Sequence, residues 1–152
     1  MRTAVPIVVL AGCCFAVALL AADNRSLDEL ADTVWKLTHV GSSQGWMDAE
    51  EIELTLSFPD DGSERFVLTT RCGETEVFYT PNGLGGDVTG AHWHPSGACP
   101  TIIRLNPWTS GTRFWLQTAE DSLTFEAEFA PEAKTLENLR HRYTLESSAS
   151  AG

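Results

Sequence analysis

The chain has 152 residues, 43% of them hydrophobic, and a formal net charge of −11. That length suits a single domain, and that apolar fraction excludes a disordered chain. The acidic balance excludes a nucleic-acid-binding surface, and also docking on anionic lipid through a basic patch.

The chain opens "MRTAVPIVVLAGCCFAVALLAADN". One arginine precedes an uncharged, largely apolar run over residues 3–22, and polar Asp23-Asn24-Arg25 follows. This is the layout of a signal peptide over residues 1–22, so the protein is read as exported, periplasmic or secreted. Three fates are open for the leader. Small residues at 16–18 and 21–22 offer ordinary cleavage. Leu10-Ala11-Gly12-Cys13 resembles a lipobox, which would anchor the protein by lipid at Cys13. Left uncut, the apolar run is long enough to span a bilayer. Contact with a membrane is expected only through an uncleaved or lipidated N-terminus.

A β domain is expected over residues 23–148, with a frayed tail at 149–152. Ser26-Leu27-Asp28-Glu29 matches a capping box, which predicts a short helix over 27–32. "VWKLTHV" (34–40) begins the strands, and "GSSQGWMDAE" (41–50) reads as a loop by its glycine and serine content. "EIELTLSF" (51–58) alternates strictly, with Ile52, Leu54, Leu56 and Phe58 on one face. The turn "PDDGSE" leads to "RFVLTTRC" (65–72), which makes a hairpin with it. "ETEVFYT" (74–80), the loop "PNGLGG" (81–86) and "DVTGAHWH" (87–94) follow, stopped by Pro95. Next come "TIIRLN" (101–106), the loop "PWTSG" with Trp108, and the hairpin "TRFWLQTA"–"LTFEAEF". "APEAKTLENLR" (130–140) predicts a helix with Pro131 in its first turn, and "HRYTLES" (141–147) a closing strand. Eight or nine short strands, each with one apolar face, predict a mostly β fold. The expectation is a single antiparallel, strongly curved sheet or barrel-like domain with one or two short helices.

Cys72 and Cys99 are the two cysteines outside the leader. In an oxidising compartment such a pair is read as a disulfide, stabilising by roughly 3.5 kcal/mol through loop closure. "AHWHPSGAC" (91–99) is the one run with a chemical look. His92 and His94 share a strand face, with Trp93 opposite and directed to the core. A zinc site needs three or four ligands, and with Cys99 in a disulfide only His39, His141 or carboxylates would remain. No metal is therefore expected, and the histidines are read as exposed. Glu51, Glu53, Glu126 and Glu128 alternate along strands, as a solvated face does. No nucleophile elbow and no phosphate loop occur, so no catalytic residue and no cofactor are assigned. Trp46 and Trp108 fall in predicted loops. With His92 and His94 they are the candidates for contact with a ligand or partner, and the two tryptophans fit a cap on the end of the core at least as well.

A family pattern follows from several of these pieces. "LADTVWKL" is followed by "LTLSF", Cys72 at a strand end, "EVFYT", "SGAC" and "RFWLQTAEDSLTFEA". This order resembles the META domain of bacterial envelope proteins, a family of heat-shock lipoproteins. Trp35 and Leu37 match its opening strand, Cys72 its first cysteine, Ala98-Cys99 its second motif, and residues 115–125 its late hairpin. Arg71-Cys72-Gly73 stands where the family has Gly-Cys-Asn, and "PTIIRLNPW" stands where it has a helical stretch. The resemblance implies a non-catalytic envelope domain with a binding or structural role, in the setting of stress tolerance. The other reading is a lipocalin-like barrel that binds a small apolar ligand. "DTVWKL" resembles the lipocalin first strand but lacks its Gly-x-Trp glycine. The expected partner is thus an unknown protein or a small apolar ligand.

Overall fold

In "RFWLQTA" and "SLTFEAE" alternate side chains are buried along each strand, so both must line a common interior. That pattern runs through the fold. The computed structural model describes residues 26–97, 107–131 and 138–148. Within them lie a 3₁₀ turn, Leu27–Leu30, and nine strands: β1 (Thr33–Ser42), β2 (Gly45–Asp48), β3 (Leu54–Phe58), β4 (Arg65–Thr70), β5 (Gly73–Asn82), β6 (Gly85–Pro95), β7 (Arg113–Ala119), β8 (Ser122–Glu128) and β9 (Leu139–Ser148). All pair antiparallel. From β3 to β9 each strand pairs with its neighbour in sequence, and β9 returns to β1. Eight strands therefore close as an up-and-down barrel, and closure removes the open edges of the sheet.

The ninth strand, β2, is additional. One edge of β1 serves two partners: Thr33 to Lys36 pair with β3, and His39 to Ser42 with β2. β2 and β3 are thus two parts of one returning strand, interrupted at residues 49–53. The amide of Ala49 still donates to the carbonyl of Thr38 at 2.8 Å, which keeps the ladder in register. The strand expected over 51–58 shortens to Leu54–Phe58. Ile52, expected in the core, is half exposed, because its amide turns back to the Ala49 carbonyl.

Other boundaries also move. The expected helix over 27–32 is a single 3₁₀ turn, and Ser26 makes no side-chain capping bond. "GSSQGWMDAE" is not a plain loop, since it contains β2. "PNGLGG" reduces to a two-residue turn, Gly83-Leu84, between β5 and β6. Gly85 is required there: a Cβ on it would lie 1.9 Å from the Phe114 carbonyl oxygen. β7 comes that close to β6 because nothing intervenes. The end of the helix expected over 130–140 is strand instead, for Leu139 and Arg140 pair with β8. Residues 1–25, Cys99, the strand expected at 101–106, the middle of that helix and the tail from 149 lie outside the described residues.

The barrel is filled. Phe66 stands at its centre, with ring centroids 5.2 Å from Phe114, 5.3 Å from Phe125, 5.4 Å from Trp108, 6.1 Å from Tyr79 and 6.5 Å from Phe58. Phe114 and Phe125, on the paired strands β7 and β8, stack in parallel at 5.4 Å. Trp35, Leu37, Leu56, Val77, Leu123 and Tyr143 complete the core. The buried polar groups of Thr33 and Trp35 are paired. The Trp35 indole donates to Thr33, whose hydroxyl donates to the Leu30 carbonyl and ties the 3₁₀ turn to β1.

Candidate functional site

His92 and His94 do share a face, the outer wall of β6. The His94 ring nitrogen Nε2 lies 2.8 Å from a Glu76 carboxylate oxygen, and the His92 ring packs edge-on against Phe78. Glu76 also meets Arg65 Nε at 3.4 Å, and Arg65 reaches Asp61 at 2.9 Å. A chain of polar contacts thus crosses β6, β5 and β4, with Arg65 between two carboxylates. His39 and His141 lie on β1 and β9, away from this chain. Among the described residues no three His, Cys, Asp or Glu side chains gather as metal ligands.

Trp93 is not in the core, as its position opposite the histidines suggested. It is on the inner face of β6, close to Gly73, but a third of it is exposed. Among the described residues β6 pairs with β7 over Gly85 to Asp87, and Trp93 lies beyond that stretch. Cys72 lies in the tight turn between β4 and β5. Its amide is held by the Thr70 hydroxyl at 3.2 Å.

The two candidate tryptophans have opposite environments. Trp108 is buried, in edge-to-face contact with Phe66, Phe125 and Phe129, so it is core rather than a ligand-facing aromatic. Apolar packing draws the loop inward there. Thr112 anchors it by donating to the Pro107 carbonyl and accepting from the Ala130 amide. Trp46 lies on the outer wall, with the guanidinium of Arg142 4.2 Å and that of Arg140 5.0 Å from its ring centre. Gly41 makes room: a Cβ there would meet both Arg140 and Trp46. Arg140 also pairs with Glu126, which accepts from the Trp115 indole. Glu126 on its strand is therefore tied to neighbours, not merely solvated.

A cleft that the sequence reading did not single out opens at the end of the barrel where β1, β4 and β6 begin. Its volume is about 520 Å³, within the range of small-ligand sites. The 3₁₀ turn gives it Leu27 and Asp28, the loop from β3 to β4 gives Asp60 and Glu64, and the barrel gives Phe58 and Tyr79. Tyr79 is more than nine-tenths buried, its ring fixed between Phe66 and Phe114. Its hydroxyl makes no hydrogen bond among the described residues. Burial, and then the charges of Glu64 and Asp28, push its pKa up. The sequence signal for this cleft was "PDDGSE", which composition marks only as a turn.

These features define a class: a closed, side-chain-filled, eight-stranded up-and-down β barrel with an appended strand and an open end cleft. An NMR structure of a protein from Burkholderia xenovorans has a similar fold, with a TM-score of 0.52 at 13% identity over 94% of this chain and 99% of that chain. No protein-family model and no curated protein matches the chain.

Proposed function

We propose that the protein is a non-catalytic, exported envelope domain of META-like type, acting by binding or as a structural element through its surface and its end cleft. The observation that supports this best is the aromatic cluster around Phe66, which occupies the barrel axis where an internal ligand would sit. Export rests on the layout of residues 1–22 and is tested by intact-mass analysis of protein recovered from its own compartment. A mass beginning near Asp23 is expected. A chain beginning at acylated Cys13 would make it a lipoprotein, and an uncut chain would make it membrane-anchored.

The disulfide between Cys72 and Cys99 belongs to the same reading. Thiol titration of the exported protein in denaturant should find no free thiol from this pair; two free thiols would remove both the bond and one support for export. The lipocalin-like reading keeps a place because the eight strands close in up-and-down order and one end is open. Under it, an apolar fluorophore would bind saturably and quench tryptophan emission. The filled axis supports the opposite result.

A further inference from the structure

We propose that the end cleft is a binding site for a small alkylammonium ion, a primary amine cation on a short apolar body. This rests on the binding role above and names what that role would engage at the cleft.

Three observations converge. First, the charge at the cleft is one-sided. Asp28, Asp60 and Glu64 line it and make no ion pair among the described residues. The cationic lining residue, Arg65, is already engaged by Asp61 and Glu76, neither of which lines the cleft. A cation entering here meets three exposed carboxylates with no ion-pair partner among the described residues, and their summed attraction acts through solvent and falls with added salt. Second, the Tyr79 side chain is more than nine-tenths buried, and its hydroxyl, which has no hydrogen-bond partner among the described residues, opens on the cleft, where its oxygen can accept from an ammonium N–H. Burial first, and then the charges of Glu64 and Asp28, raise the Tyr79 pKa, so the hydroxyl keeps its proton beside the carboxylates. Third, the remaining lining is apolar: Leu27, Phe58 and the ring of Tyr79. An alkyl chain would cover these, and a cation near the aromatic faces gains further attraction. An anion is disfavoured by the carboxylates, and a bare metal ion leaves the apolar lining unused.

Two-dimensional amide NMR of the full chain, titrated with n-butylammonium chloride at constant ionic strength, tests this. n-Butanol serves as the neutral isostere. Saturable shifts are expected at Leu27, Asp28, Glu64 and Tyr79 with the cation, and at least tenfold weaker binding of the alcohol. The exposed-rim double variant Asp60→Asn/Glu64→Gln should weaken the cation at least tenfold and leave the rest of the spectrum unchanged. Tyr79→Phe, which keeps the ring, should weaken it several-fold. Equal binding of alcohol and cation would overturn the proposal while leaving a binding role for the cleft. No saturable shift with either probe, or cation binding untouched by the double variant, would overturn it outright.

Discussion

His141 is a neutral histidine set into the barrel wall. Its ring nitrogen Nδ1 is 3.0 Å from the hydroxyl of Tyr143, which is fully buried. Burial pushes the His141 pKa down from 6.5 to about 4. The folded value lies below the unfolded one, so the fold has its full stability above pH 6.5. Between there and about pH 4 the unfolded chain takes up a proton that the folded chain refuses. This one group should therefore lower stability by up to about 3 kcal/mol across that interval. Urea unfolding at both ends of the window, on the parent and on His141→Gln, isolates the effect. The parent should lose clearly more stability than the variant; equal losses would refute the assignment. The alternation His141, Tyr143, Leu145 was visible in "HRYTLES", and it sends all three toward one face. That this face was the interior required the pairing of β9 with β1.

β2 shows how an element can form where its own sequence is uninformative. "GWMD" has no apolar alternation, and three of its four residues are exposed. It is a strand because β1 outruns β3 and leaves free backbone groups on the same edge, which β2 pairs. Trp46 adds a second hold, lying against the guanidinium groups of Arg140 and Arg142 on β9 across the bare surface of Gly41. Each such contact contributes about 0.5–1 kcal/mol at an exposed site. Trp46→Ala should thus cost about 1–2 kcal/mol and release β2 locally. Hydrogen exchange should quicken at Val40 to Asp48, with the pairing of β7 and β8 unchanged. A uniform change across the barrel, or none, would show that Trp46 does not hold the strand. Sequence reasoning named Trp46 but placed it in a loop, because the guanidinium partners lie almost a hundred residues away.

For the whole molecule, the decisive property is a closed barrel with a solid interior. Phe66 touches five other aromatic rings, contributed by four further strands and one loop. Phe66→Ala should therefore cost about 3–5 kcal/mol, since neighbours on separate strands cannot all collapse into the space. Calorimetric or denaturant melts give the number. A loss below about 1 kcal/mol would mean that the interior already contains room. It would then favour an internal ligand over the surface and end cleft.

The class of fold was legible in the chain because strand alternation is a local signal. Residues 113–119 and 122–128 state it plainly, and the two-residue turn between them follows from length alone. The outward, paired placement of His92 and His94 was legible for the same reason. What alternation does not carry is which face meets which. Closure of β9 on β1 depends on the summed twist and stagger of eight strands, and that sum is a property of the assembled sheet. So Trp108, in an unpatterned loop, is drawn inward, while Trp93, in a regular strand, is left a third exposed. The end cleft is beyond sequence for the same reason. Asp28, Asp60, Glu64 and Tyr79 come from separate turns and strands, and only barrel closure brings the three carboxylates beside one tyrosine hydroxyl.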